Sequence, residues 1–329
     1  MATKGIILSG MRPTGRLHLG HQSVLNNWVR LQDEYNCFFM VADWHAITTG
    51  WEEAKEVYPN TIEMVADWLA TGIDPEKSVI FRQSSVLEHA ELHLMFSMVT
   101  PLSWLERVPT YKDQVQKLGE MGKDINTYGF LGYPLLQAAD ILVYRANAVP
   151  VGEDQLPHIE LTREVARRFN YQFKSVFPEP QGIINKEVAV LPGVDGAKMS
   201  KSYHNYISIG ANAEEIKKNV NQMVTDPARI RKTDPGNPQV CVVHKFHRLY
   251  NADLLEGIET ECKAGSIGCV ACKKQLASSL EDQLSPIRER REQILTKKGY
   301  IDEILRAGDE KARAAARQTM EEVRAAIFG

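Results

Sequence analysis

The sequence predicts an α/β fold: a Rossmann-like parallel sheet, followed by an all-helical C-terminal region. Three observations carry that expectation. Short apolar runs of strand length alternate with segments of helical periodicity through the first part of the 329 residues. Runs that are apolar throughout suit strands buried on both faces, as in a parallel sheet covered by helices. After about residue 203 the strand signals fade, and helical stretches rich in Glu, Lys, Arg and Ala take over. The division is therefore 1–203 for the sheet domain and 204–329 for the helical one, with the last helix able to pack back on the first domain.

The elements follow in order. Gly5-Ile-Ile-Leu-Ser9 reads as the first strand, and Gly10 to Gly15 as a turn with Pro13 inside it. Val24, Trp28 and Leu31, flanked by Leu25 and Val29, recur at helical spacing. Cys37 to Asp43 and Ser78 to Phe81 are further strand-length runs, and Val188-Ala-Val-Leu191 is a late one. Residues 213–225, 274–296 and 300–328 read as helices. Ligands of such sheets bind beyond the carboxyl ends of the strands, so the loops after residues 9, 43, 150 and 191 surround one site.

Composition narrows the function classes. With 43% hydrophobic and 25% charged residues the chain is an ordinary folded protein. A net charge of −3 excludes a globally basic nucleic-acid coat. Local phosphate binding survives, because fields act over about 8 Å at physiological salt. The apolar runs are far shorter than the ~20 residues a membrane span needs, and the N-terminus lacks a signal-like apolar stretch. The expectation is a cytoplasmic protein without a membrane partner.

Pro13-Thr14-Gly-Arg-Leu-His18-Leu-Gly20-His21 lies between the first strand and the first helix. A helix N-terminus offers free N–H groups and partial positive charge to a phosphate. His18 and His21 share one face of the first turns, where imidazole N–H groups can meet phosphate oxygens, and Gly20 lets a flat base approach the backbone. Taken alone, the segment is equally a turn with two surface histidines. Gly196-Ala-Lys198-Met199-Ser200-Lys201-Ser202 follows the late strand. Two lysines and two hydroxyls in a glycine-led loop make a polyphosphate clamp, and each ammonium can follow charge onto a leaving group. Taken alone, it is a solvated basic loop.

Tyr133, Gln137 and Asp140 stand at i, i+4 and i+7, among Leu135, Leu136, Ala138, Ala139, Ile141 and Leu142. This is a buried helix with a polar stripe. The stripe is either a hydrogen-bond network or an amino-acid pocket. In a pocket, Asp140 accepts from a ring donor while Tyr133 and Gln137 hold the ammonium and carboxylate region. A carboxylate satisfies an indole N–H or a phenol alike, so this chemistry alone does not choose the ring. Cys241, Cys262, Cys269 and Cys272 form C-x20-C-x6-C-x2-C, a spacing that suits tetrahedral zinc or a [4Fe–4S] cluster. Four ordinary thiols are the alternative. Cys37 sits in an apolar strand and reads as core, and His244, Lys245, His247 and Arg248 are candidate contacts to RNA phosphates.

The two phosphate-loop segments in this order resemble the paired signatures of the class I aminoacyl-tRNA synthetases. Ala42-Asp-Trp-His45-Ala-Ile-Thr48, Ala138-Ala-Asp140-Ile-Leu and Val149 to Arg163 resemble the tryptophanyl-tRNA synthetases within that class. The resemblance implies ATP-dependent activation of L-tryptophan with Mg²⁺, release of pyrophosphate, and transfer to the 3′ end of tRNA(Trp). It implies catalytic roles for His18, His21, Lys198, Ser200 and Lys201. It implies nucleotide contacts from Arg12, Pro13, Thr14, Gly20, His21, Gly152, Glu153, Asp154, Val190, Lys198, Met199, Ser200, Lys201 and Ser202. By the same resemblance Asp140 reads the indole nitrogen, with Tyr133, Gln137 and Gln155 beside the amino acid. The C-terminal domain binds the anticodon, and the enzyme is a homodimer. Some members carry a [4Fe–4S] cluster on a similar cysteine pattern, which favours iron–sulfur over zinc for Cys241, Cys262, Cys269 and Cys272. A tyrosyl-tRNA synthetase is the nearest alternative, because Gln three residues before the specificity Asp occurs there too.

Overall fold

The computed structural model describes residues 3–120, 125–184 and 191–329. The chain runs through β1 (Ile6–Met11), α1 (Leu19–Leu31), β2 (Asn36–Val41), α2 (Asp43–Gly50), α3 (Val57–Thr71) and β3 (Ser78–Arg82). It continues through α4 (Glu88–Val99), α5 (Leu102–Glu106), α6 (Pro109–Glu120), α7 (Tyr128–Val143), β4 (Ala148–Val151), α8 (Leu156–Gln172) and β5 (Gln181–Ile184). The C-terminal part holds α9 (Ala213–Gln222), α10 (Val242–Tyr250), α11 (Leu255–Lys263), α12 (Cys269–Thr296) and α13 (Tyr300–Phe328).

The five strands pair in parallel in the order β3-β2-β1-β4-β5. Successive residues of a strand face opposite ways, and the apolar runs use this fully. Ile7, Phe39 and Ile80 point to one face, in a core cluster with Trp28 and Trp68 that continues to the α12 residues Leu276, Leu280 and Leu284. Leu8, Met40 and Phe81 point to the other, under Leu135, Ile159, Phe169 and the α13 residues Ala312, Ala316 and Met320. The fold is thus the expected Rossmann-like sheet with a helical C-terminal part. From β1 the chain passes to β2 on one side and later to β4 on the other, so the strand order reverses between β1 and β4. Ligand crevices form at such a reversal.

The last helix does return to the sheet. Asp309 on α13 accepts from the Arg82 backbone N–H at 2.8 Å and pairs its guanidinium at 2.5 Å. Gly308 allows this approach: a Cβ there would overlap the carbonyl oxygen of Ile80. The sequence did not mark β5, whose four residues Gln181–Ile184 carry a glycine and no strong apolar run. Residues 188–190 of the expected late strand lie outside the described residues. Helix α9 ends at Gln222, and α12 begins at Cys269, ahead of the expected start. Among the described residues no helix is long and apolar enough to cross a membrane.

Candidate active site

A cavity of about 450 Å³ opens at the reversal between β1 and β4. Gly10, Met11 and Arg12 come from the end of β1, His21 and Trp28 from α1, and His45 and Thr48 from α2. Tyr133, Gln137 and Asp140 enter from α7, and Gly152, Gln155 and His158 from the β4–α8 turn and α8. Glu153 and Asp154 stand exposed on that turn. Val190 lies outside the described residues.

His18 is the N-cap of α1. Its Nδ1 accepts the Gly20 N–H at 3.2 Å, and His21 Nδ1 accepts the His18 N–H at 3.2 Å. Both rings therefore carry their proton on Nε2, as potential donors. Burial lowers His18 to about 3 and His21 to about 4, with Lys201 adding repulsion to both. The pair is neutral at neutral pH. A Cβ on Gly20 would come within 2.9 Å of the His18 ring, so this glycine makes room for the imidazole cap.

The second loop meets the first. Lys201 Nζ donates to the Thr14 carbonyl at 3.0 Å, and burial lowers its ammonium to about 8. Leu19 N–H donates to Ile207 O at 2.9 Å and Ile209 N–H to Leu17 O at 3.1 Å, a backbone ladder that ties the two segments together. Met199 is buried, Ser200 half-buried and Lys198 exposed, while Ser202 belongs to the single turn Lys201–Tyr203. Asn205 shapes this loop. It accepts the Ser200 N–H at 2.8 Å and donates to Lys198 O at 3.1 Å and Asp195 at 2.9 Å. A lone Asn carries no sequence signal for that role.

Asp140 is 1% exposed and hydrogen-bonded through both oxygens. Its Oδ2 lies 2.8 Å from His45 Nε2 and its Oδ1 2.6 Å from His89 Nδ1. Gln83 Nε2 donates to both oxygens at 2.9 Å. Burial opposes the charged form, but the pull of His89 and the hydrogen bonds from His45 and His89 hold the carboxyl well below its ordinary value. Behind it, His89 Nε2 contacts Tyr144 Oη at 2.7 Å. Only His45 among these partners lines the cavity. The hydrogen-bond network and the pocket wall thus share Asp140 and His45, while Gln83, His89 and Tyr144 lie behind the wall. Tyr133 Oη sits 3.3 Å from His158 Nε2.

The four cysteines lie on α10's N-cap, on α11 and in the first turn of α12. Arg229 Nη1 is 3.9 Å from Cys262 Sγ and 3.8 Å from Cys269 Sγ, and Cys272 Sγ is 3.3 Å from His247 Nε2. Burial, reinforced by the other three thiols, raises Cys272 to about 12. Among the described residues no three His, Cys, Asp or Glu side chains gather as a metal-binding group.

Residues 2–285 match the family model described as tRNA synthetases class I (W and Y). The tryptophan–tRNA ligase of Thermotoga maritima is 53% identical over 98% of this chain and 98% of its own. That of Aquifex aeolicus is 45% identical over 98% of this chain and 99% of its own. The solved tryptophanyl-tRNA synthetase of Campylobacter jejuni, complexed with ADP and tryptophan, superposes with a TM-score of 0.87 at 34% identity, covering 97% of this chain and 98% of that one. With a cavity at the sheet's switch point and the 13–21 segment tied to the 198–209 segment beside it, the chain belongs to the class I tRNA synthetases of the tryptophan and tyrosine group.

Proposed function

We propose that the chain is a tryptophan–tRNA ligase, and that the cavity holds tryptophan against Asp140 while the His18–His21 and Lys198–Ser202 loops hold ATP. The observation that carries the reading is Asp140 itself: an ionised, acceptor-only group in the cavity wall. An indole N–H only donates, which matches it. The relatives at 53% and 45% identity are both tryptophan–tRNA ligases, which favours tryptophan over tyrosine.

In this reading the tryptophan carboxylate attacks the α-phosphorus of ATP, the bond to the bridging oxygen breaks, and pyrophosphate leaves. A terminal ribose hydroxyl of tRNA(Trp) then attacks the adenylate carbonyl, and AMP leaves. No protein nucleophile is required. Catalysis comes from positioning and charge stabilisation. Neutral His18 and His21 donate Nε2–H groups, Lys198 and Lys201 meet the departing pyrophosphate, and Mg²⁺ accompanies the triphosphate. Arg12, Pro13, Thr14, Gly152, Glu153, Asp154 and Val190 border the nucleotide; Tyr133, Gln137 and Gln155 border the amino acid. Amino-acid-dependent pyrophosphate exchange tests the reading. Exchange with tryptophan at least a hundredfold more efficient than with tyrosine is expected, and the reverse order would overturn it.

Residues 204–329 serve as the anticodon-binding part, in a cytoplasmic homodimer. Leu87, Leu94, Met98 and Leu102, all exposed on and beside α4, favour a covered subunit face. The four cysteines are the ligand set for a [4Fe–4S] cluster, with zinc as the alternative. One tetrahedral zinc ion needs thiolates about 3.8 Å apart, at Zn–S distances of about 2.3 Å. Arg229 beside Cys262 and Cys269 supplies compensating charge for a thiolate-bound cluster. Anaerobically purified protein should be brown, absorbing near ~400 nm. A colourless, zinc-containing sample would reverse the choice.

A further inference from the structure

Arg291 is a buried cation on α12, with its side chain 8% exposed. Its Nε donates to Asp67 Oδ1 at 2.6 Å, and its Nη2 pairs with Glu63. Both carboxylates lie on α3. Asp67 is 1% exposed, and its other oxygen accepts the Leu17 N–H at 2.8 Å. Glu63 also accepts from Arg16 Nε at 3.1 Å. A single side chain from the C-terminal helices therefore holds, through two carboxylates, the backbone and side chain of residues 16 and 17. The next residue is His18.

Leu17 is itself buried, so its amide has no water to turn to if Asp67 moves. Asp67 in turn keeps its orientation through Arg291. A planar guanidinium can serve two carboxylates from two nitrogens at once, which an ammonium on a flexible stem cannot reproduce. We propose that Arg291 is a positioning residue for the nucleotide site: it orients Asp67, and Asp67 fixes the Leu17 amide that sets the stance of His18 and His21. Arg291 touches neither substrate. The arrangement makes the nucleotide loop sensitive to the seating of α12, the helix whose first turn carries Cys269 and Cys272. This inference rests on the proposed contact of the two histidines with ATP.

The test is pyrophosphate-exchange kinetics, normalised by active-site titration, on wild type, Arg291→Lys, Asp67→Asn and Arg290→Ala. Arg290 is the control. It docks the same helix on the same partner through Nε to Ala70 O at 2.7 Å, without reaching Asp67. Arg291→Lys and Asp67→Asn should each raise the KM for ATP about tenfold, leave the KM for tryptophan within twofold, and speed exchange of the Leu17 amide hydrogen. Arg290→Ala should move none of these. An unchanged KM for ATP in Arg291→Lys, or an equal rise in Arg290→Ala, would overturn the assignment. If Arg291→Lys fails to fold, Asp67→Asn decides in the same way. His21→Ala separates the two levels. ATP kinetics unaltered by His21→Ala would refute the phosphate reading, whereas a defect there with normal Arg291→Lys kinetics would refute this inference alone.

Discussion

Buried imidazoles give the site a specific acid limit. His18 is lowered from 6.5 to about 3, and His21 and His158 each to about 4, with burial the leading cause in every case. Between pH 6.5 and 4 the unfolded chain takes up protons that the folded chain refuses, so stability falls as the pH falls. The melting temperature should be level above the unfolded histidine value and drop steadily through that window. A melting temperature that rises on acidification there would contradict the burial argument. The spacing of His18 and His21 was legible in the sequence, but their neutrality was not, since it follows from packing against Tyr206 and the Lys201 loop. Asp140 was legible as one member of a polar stripe. Gln83 and His89 arrive from the end of β3 and from α4, at separations of 57 and 51 residues that no local pattern spans. Asp140→Asn replaces an acceptor with a group that also donates, opposite three donors. Tryptophan-dependent exchange should fall below detection while equilibrium ATP binding stays within about threefold of wild type. Retained exchange would remove Asp140 from the pocket.

At the scale of elements, the alternation of Ile7 with Leu8 and of Phe39 with Met40 was enough to place β1 and β2 in a sheet covered on both faces. β4 and β5 are four residues each, the first containing a proline, and too short for periodicity to speak. The docking of α13 depends on Gly308 lying over the Ile80 carbonyl, a close approach visible only once the helix is seated. This reverses an ordinary expectation. In a solvent-exposed helix interior Gly→Ala stabilises by about 1 kcal/mol. At Gly308 the added methyl must push the helix from β3, so Gly308→Ala should destabilise by about 2 kcal/mol or more in urea unfolding. A neutral or stabilising result would mean that α13 does not press on the sheet.

Across the whole molecule, the two signature segments lie some 180 residues apart in sequence and meet through Lys201 and Thr14 and through the ladder of residues 17–19 with 207–209. Their pairing could be read from residue types, because the chemistry of a triphosphate demands both. The means of holding them together could not, because Arg291, Asp67 and Asn205 look like ordinary helix and loop residues until the chain is folded. Lys201 at rest donates to Thr14; in the proposed function it leaves that carbonyl to follow charge onto departing pyrophosphate. Its contact therefore strengthens in the transition state more than in the ground state. Single-turnover adenylate formation by Lys201→Ala, with the KM for ATP measured alongside, tests this most directly. The account predicts a rate about a thousandfold lower, or ~4 kcal/mol, with KM changed less than tenfold. A near-normal rate with only a raised KM would contradict it.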